Sequence, residues 1–288
     1  MISKTKQLRK LIASNKVHIA PGVFDGLSAR LVEQAGFNLI YASGGAIARS
    51  TGYPDLGLLG IGEITKELQN ILEVTTLPVI ADADTGFGNI INVRRTVKLF
   101  ENLGVVALHL EDQEFPKRCG HLEGKQLVSK QEMIDKIRIA RESLVDPDFV
   151  LIARTDAIAV EGFDQAIDRA QAYLLAGADM IFVEAPQTEE QVKLIAKKIP
   201  EPKLINMFYG GKTPLIPISK LESWGYNIVV IPSDLQRSAI YAMQKTLAVI
   251  KEQGDSASIS DQLVTFNERE KIIGTANYLA LGRTSKEK

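Results

Sequence analysis

Short runs rich in Val, Ile, Leu and Ala recur along the chain, each followed by a longer stretch whose apolar residues return at helical spacing. The runs predict strands near Val17–Phe24, Leu39–Ala42, Pro78–Ala83, Val105–Glu111, Phe149–Thr155, Met180–Ala185, Lys203–Met207 and Ile228–Pro232. The longer stretches predict helices over Gly26–Gln34, Ile61–Glu73, Ile90–Asn102, Ser129–Ser143, Phe163–Ala176, Glu189–Lys198, Ile218–Trp224 and Asp234–Gln253. Several runs are apolar almost without interruption, as in parallel strands covered on both faces. Gly36, Gly104 and Gly177 close helices just before the next strand. Such repeated units fit a (β/α)₈ barrel. A doubly wound sheet would show a G-x-G-x-x-G turn after its first strand, and none is there. After Gly254 another amphipathic stretch carries Ile259, Leu263, Phe266 and Ile273. The expectation is one barrel domain over residues 1–288, with 254–288 as a helical extension.

Composition narrows the class without naming a chemistry. Of 288 residues, 45% are apolar and 24% charged, ordinary values for a soluble globular enzyme. A formal charge of −1 gives no footprint for nucleic acid or an anionic membrane. The single cysteine cannot form an internal disulfide, which fits a reducing compartment. The opening MISKTKQLRKLIASNK lacks the apolar core of a signal peptide, and no apolar run nears the roughly 18–20 residues of a membrane span. A soluble, cytoplasmic protein is expected.

Polar residues close almost every predicted strand: Ser43-Gly44-Gly45, Asp82 and Asp84, His109 and Glu111, Arg154 and Asp156, Glu184, Asn206 and Ser233. In a barrel these ends meet at one mouth, where such folds carry their chemistry. A single strand-end aspartate is usually a loop cap, but a whole ring of suitable groups is not. Asp82 and Asp84 stand two residues apart, and Glu111 ends the neighbouring strand. Carboxylates so close repel unless a hard cation such as Mg²⁺ or Mn²⁺ joins them. An Asp–Arg structural network is the plain alternative. Zinc is disfavoured, because Cys119 and His121 lie on a loop without a second ligand pair. Cys119 itself sits in Lys117-Arg118-Cys119-Gly120-His121. Those cations predict a lowered thiol pKa and a chemical role, against the plain reading of an incidental surface thiol.

The same residues carry a family resemblance. Tyr41-Ala42-Ser43-Gly44-Gly45, Tyr53-Pro54-Asp55-Leu56-Gly57, the Asp82–Gly88 run, His109-Leu110-Glu111-Asp112-Gln113, Lys117–His121, Ala153–Ala157 and Glu184-Ala185 resemble the isocitrate lyase/phosphoenolpyruvate mutase superfamily. Within it the chain is similar to the 2-methylisocitrate and 2,3-dimethylmalate lyases, over about Val17 to Glu270. The resemblance implies a barrel that exchanges its C-terminal helix with a neighbour, in a homotetramer built as a dimer of dimers. It implies Mg²⁺ on Asp82, with Asp84 and Glu111 reaching it mainly through water and Asp55 nearby. It also implies that Ser43, Gly44 and Gly45 hold the 2-hydroxy or 2-oxo carboxylate end. Arg154 and Asn206 would bind substrate oxygens, Glu184 would orient them, and Arg237 would meet a carboxylate. Cys119, on a closing loop with Gly120 in the binding set and His121 in the catalytic set, would be the general acid. Tyr41 would be the base for the hydroxyl.

One stretch departs from the pattern. Where 2-methylisocitrate lyases read like T-R-N-E-L, this chain has Thr265-Phe266-Asn267-Glu268-Arg269. Phe266 cannot pair with a distal carboxylate, and a buried unpaired one is costly. The loop Phe208–Pro214 is also closer to the dimethylmalate type. Both favour a substrate with a methyl at that end, unless Arg269 or Lys212 takes the arginine's place. Oxaloacetate hydrolysis on the same scaffold, and a non-catalytic barrel, are the rival readings.

Overall fold

The structure, a computed structural model, describes residues 2–284. The chain divides into two compact units, Met1–Asp234 and Leu235–Lys288. The first begins with α1 (Lys4–Ala13) and continues β1 (His18–Val23), α2 (Gly26–Gln34), β2 (Ile40–Ala42), α3 (Gly44–Ser50), α4 (Ile61–Leu72), β3 (Val79–Asp82) and α5 (Ile90–Leu103). It goes on through β4 (Ala107–Glu111), α6 (Lys130–Ser143), β5 (Val150–Thr155), α7 (Phe163–Leu175), β6 (Met180–Val183), α8 (Glu189–Lys198), β7 (Lys203–Asn206), α9 (Ile218–Ser223) and β8 (Ile228–Ile231). The eight strands are parallel and close into a barrel in chain order, so the doubly wound alternative is excluded.

Strand periodicity sorts the side chains into two cores. On β4, Leu108 and Leu110 join the layer under the helices, while Ala107 joins the barrel interior. With a period of two, His109 and Glu111 therefore point inward with Ala107. Ile80 on β3, Ile152 on β5 and Phe182 on β6 also lie in the interior core. The next inward positions along those strands are Asp82, Arg154 and Glu184. Parallel register then seats Asp82 beside His109 and Glu111 beside Arg154. A polar ring at the C-terminal mouth thus follows from apolar strands that end one layer too late to stay apolar.

Two helices escape the sequence pattern. α1 has few apolar residues, yet Leu8 and Ile12 are buried in the interior core with Ala20 and Ile228, and Arg9 donates to the Phe149 carbonyl at 2.8 Å and to Asp179 at 2.9 Å. α3 opens on Gly44-Gly45, poor helix formers, and is started by the Ser43 hydroxyl accepting from Ala46 N at 3.3 Å.

The second unit contains α10 (Asp234–Gln253), α11 (Phe266–Ile273) and α12 (Thr275–Thr284). α11 starts on a Thr265–Glu268 capping box and ends on Gly274, φ 76°. Leu247, Phe266, Tyr278 and Leu281 stand exposed. The expected 254–288 extension lies wholly within this unit. Among the described residues no helix is long and apolar enough to cross a membrane.

Candidate active site

Potential ligand atoms of Asp82, His109 and Glu111 lie within 4.8 Å of one another, and all three residues are buried. His109 Nε2 is 3.5 Å from Asp82 Oδ1 and 2.8 Å from the Tyr41 hydroxyl. Burial pushes the His109 imidazole down to about 4, so it is neutral at pH 7 despite Asp82. Burial alone would raise Asp82, but His109, Lys117 and Arg154 together hold it below the usual carboxylate range. Glu111 behaves the other way: burial pushes it well above the ordinary value, outweighing Arg154 and Lys117. Neither Glu111 oxygen receives a hydrogen bond, and the closer cation, Arg154 Nε, is 3.3 Å from Oε2. Buried carboxylate oxygens without donors fit a site completed by a metal ion.

The expected metal set of Asp82, Asp84, Glu111 and Asp55 divides here. Asp84 lies past the end of β3 with φ 46°, which turns it out of the strand. Lys117 Nζ then pairs with Asp84 Oδ1 at 2.9 Å and with Asp55 Oδ1 at 2.6 Å. Asp55 and Asp84 thus pair with a buried lysine, while Asp82 and Glu111 lie with His109 in the group whose ligand atoms could meet on one ion. Burial, only partly offset by Lys117, leaves the Asp84 carboxyl raised to about 6.

Arg154 is held from every side. It donates from Nε to Asp156 Oδ2 at 2.9 Å and from Nη2 to Asp156 Oδ1 at 3.2 Å. Glu184 Oε2 is 3.7 Å from Nη2, and the guanidinium lies 5.0 Å over the Phe182 ring centroid. Burial would raise Glu184, but Arg154 and the hydrogen bond from His121 bring it down to about 2, an ionised carboxylate. Asp156 is fixed in turn by Asp112, which accepts from its N–H at 2.9 Å and from Thr155 Oγ1 and Tyr173 OH.

The loop between β4 and α6 bends Cys119 back over this mouth. Cys119 N donates to the Asp55 carbonyl at 3.1 Å, and Arg49 Nη2 lies 4.0 Å from Sγ. His121 Nδ1 accepts from Lys212 N at 3.0 Å, so Nε2 faces Glu184 Oε1 at 3.0 Å as the donor. Asn206 Nδ2 approaches the same Glu184 oxygen at 3.4 Å. A side chain on Gly120 would meet Arg154 Nη2 at 2.5 Å, and one on Gly44 would meet Asp82 Oδ2 at 2.8 Å. Both positions therefore need glycine for close approach.

One expectation is corrected. The Cys119 thiol is raised, not lowered: burial and Asp55 outweigh Arg49. Its sequence neighbours point elsewhere, Lys117 to Asp55 and Asp84, Arg118 to the Glu123 carbonyl, His121 to Glu184. Tyr41 is also pushed well above its ordinary range by burial and Asp82. Its hydroxyl lies 2.8 Å from His109 Nε2, so a proton reaching the phenol has the neutral imidazole as its next acceptor. Ser43, Gly44, Gly45, Asp82, Arg154, Glu184 and Asn206 all lie in the first unit at strand ends; Arg237 is carried by α10, in the second unit. His109 and Asp156 stood in the ring of strand-end polar residues without an assigned role, and Lys117 and Lys125 were given none, because long-range ion pairs leave no local signal.

An acidic, metal-ready cluster at the strand ends of a closed barrel, facing a cysteine loop, defines an enzyme site of known architecture. The phosphoenolpyruvate phosphomutase family model matches residues 8–251. The chain belongs to that family, within the PEP mutase/isocitrate lyase superfamily. It is 43% identical over 269 residues to the 2,3-dimethylmalate lyase of Eubacterium barkeri, covering 93% of each chain. It is 43% identical over 271 residues to the 2-methylisocitrate lyase of Aeropyrum pernix, covering 94% of this chain and 87% of that one. A crystal structure of 2,3-dimethylmalate lyase matches with TM-score 0.93 and 33% identity, over 99% of this chain and 96% of that one. Oxaloacetate acetylhydrolase bound to 3,3-difluorooxalacetate gives TM-score 0.93, 33% identity and coverage of 99% and 97%. Phosphonopyruvate hydrolase bound to oxalate and Mg²⁺ gives TM-score 0.89, 30% identity and coverage of 97% and 98%.

Proposed function

We propose that the protein is a Mg²⁺-dependent carbon–carbon lyase. It cleaves a 2-hydroxy di- or tricarboxylate of the 2,3-dimethylmalate or 2-methylisocitrate kind into pyruvate and a carboxylic acid. The observation that carries this is the docked cysteine loop: a thiol kept protonated by burial, with Gly120 packed against Arg154 and Glu184 at the acidic mouth. A thiol with a raised pKa is a proton donor, which is what a carbanionic product requires.

The ion-pair network supports a divalent cation. Six carboxylates (Asp55, Asp82, Asp84, Glu111, Asp156, Glu184) face four cations (Arg49, Lys117, Lys125, Arg154), a formal surplus of two negative charges. Held by Asp82 and Glu111, directly or through water, Mg²⁺ would polarise the substrate's 2-oxygen and offset the charge that develops there. The protein's own groups do the rest. Gly44 and Gly45, in the first turn of α3, bind the carboxylate end, and Arg154 with Asn206 binds substrate oxygens. The hydroxyl proton leaves toward the Tyr41 phenol and the neutral His109 behind it. The C–C bond breaks, the hydroxyl carbon becomes the ketone of pyruvate, and the electron pair stays on the carbon beside the departing carboxylate. The Cys119 Sγ–H proton is delivered to that carbon.

The smaller substrate is favoured. Lys212 pairs with Glu123, and Arg269 pairs with Glu270 at 2.9 Å beneath its contact with the Phe266 ring, so both substitute cations already have acidic partners. The exposed apolar residues of the second unit support assembly with further copies, a homotetramer in the cytoplasm. Metal-stripped enzyme should release no pyruvate from 2,3-dimethylmalate, and Mg²⁺ or Mn²⁺ should restore release. Full turnover after metal removal would overturn the proposal. Release of oxalate and acetate from oxaloacetate, with 2,3-dimethylmalate left intact, would instead favour oxaloacetate hydrolysis, as in the structural neighbour named oxaloacetate acetylhydrolase.

A further inference from the structure

Lys125 lies six positions after Cys119 on the same loop, and its ammonium is buried, 1% exposed. A lysine is buried only where a partner repays the lost hydration. Here the partners are the Gly120 carbonyl, to which Nζ donates, and Asp156 Oδ1 at 3.4 Å. Asp156 is the carboxylate that holds both Nε and Nη2 of Arg154. Gly120 is the residue whose α-carbon packs against Arg154 Nη2 and Glu184. The ammonium therefore touches the loop backbone next to the thiol and the anchor of the substrate-binding arginine at once.

The remaining ties of the loop divide into two sets. Gln113 closes the loop's own base, donating to the Arg118 carbonyl and accepting from Arg118 N, both at 2.9 Å. Lys117 ties the entry side to Asp55 and Asp84. Among the described residues, the exit side reaches the strand-end cluster through His121, whose Nε2 faces Glu184 Oε1 at 3.0 Å, and through Lys125, whose ion pair there is with Asp156. Opening the loop would pull a buried cation off Asp156 and leave Arg154 as that carboxylate's remaining guanidinium or ammonium partner.

We propose that Lys125 is a positioning residue, a latch that holds the Cys119 loop shut and couples that closure to the orientation of Arg154 through Asp156. The proposal rests on Cys119 being the proton donor for its catalytic consequence, while the latch itself can be read without turnover. It touches no substrate atom; it acts through Gly120 and Asp156.

Because Cys119 is the chain's one cysteine, thiol alkylation reports loop closure directly. Iodoacetamide labelling of Mg²⁺-loaded protein, followed by mass spectrometry with and without saturating oxalate, supplies that readout. In the unmodified protein oxalate should slow labelling at least about tenfold, as loop closure sequesters a site. Lys125→Met should abolish most of that protection. It should lower kcat about 10²-fold, the loss expected from roughly 1 Å of misplacement, with KM changed far less. Lys125→Gln keeps a donor for the Gly120 carbonyl and drops the charge toward Asp156. It should lie between the two, and it supplies the same readouts where Lys125→Met does not fold. Normal protection with kcat within threefold in the folded variant overturns the latch. Lost protection in a protein that cleaves no 2-hydroxy acid at all upholds the latch and removes the lyase assignment, so the two failures are separable.

Discussion

Gly120→Ala is the sharpest steric probe of the account. A Cβ at this position would stand 2.5 Å from Arg154 Nη2 and 2.6 Å from Glu184 Cγ. Ordinary contact begins near 3.4 Å, so about 0.9 Å (3.4 less 2.5) must be found somewhere. Arg154 has little room to give, since Asp156 grips it at 2.9 and 3.2 Å and Phe182 lies under its guanidinium. The loop must therefore recede, and Cys119 recedes with it. Gly120 has no left-handed φ, so alanine brings no backbone strain and the effect is steric alone. A displacement near 1 Å costs about 10²-fold in rate, or roughly 2.7 kcal/mol in the activation barrier. Pyruvate release, coupled to lactate dehydrogenase, measures kcat; far-UV circular dichroism and thermal unfolding check the fold. The expected result is a kcat loss of that size with an unchanged melting temperature. A folded Gly120→Ala enzyme within threefold of normal kcat would refute the packing argument.

The other predictions address chemistry, electrostatics and specificity. Cys119→Ser raises the donor's pKa by several units and should lower kcat by roughly 10²–10⁴-fold without loss of structure, measured in the same pyruvate assay. Asp112 is raised to about 6, chiefly by burial and then by Asp156. Its folded state thus holds a proton that the unfolded state releases near 3.8, so stability falls as pH rises from 3.8 through 6. The loss is about 3 kcal/mol. Chemical unfolding in EDTA should show the stability of Asp112→Asn gaining on the unmodified protein by about that much between pH 4 and 7, and parallel curves would contradict the burial assignment. Phe266→Arg should shift kcat/KM toward 2-methylisocitrate by about tenfold or more, since a charged hydrogen bond is worth about 1.5–3 kcal/mol. An unchanged preference would remove Phe266 from the specificity determinants.

What the sequence disclosed was whatever follows from short-range periodicity. Apolar runs ending in Asp82, Glu111, Arg154, Glu184 and Asn206 marked both the barrel and its mouth, because strand pleat and parallel register leave those ends little freedom. What it hid depends on side-chain direction and distant pairing. Lys117, Arg118 and His121 surround Cys119 in sequence, but each reaches a different carboxylate or carbonyl, so the thiol ends in a net acidic, desolvated pocket. Asp84 stands at strand spacing from Asp82 in sequence, but its φ of 46° turns it out of the strand toward Lys117. α1 went unread because Leu8 and Ile12 are its fully or nearly buried apolar residues, too sparse a stripe to stand out. α3 was masked by the two glycines that let Asp82 and Asp55 approach its first turn.

The central claim is carbon–carbon cleavage ended by proton delivery to a carbanion. Incubating the Mg²⁺-loaded enzyme with 2,3-dimethylmalate in deuterated water tests it most directly. The account predicts pyruvate and a carboxylic acid in equal amounts, with one solvent deuterium on the carbon next to the acid's carboxylate. Uncleaved 2,3-dimethylmalate, with oxalate and acetate formed when oxaloacetate is supplied in its place, or an acid product without deuterium at that carbon, would contradict it.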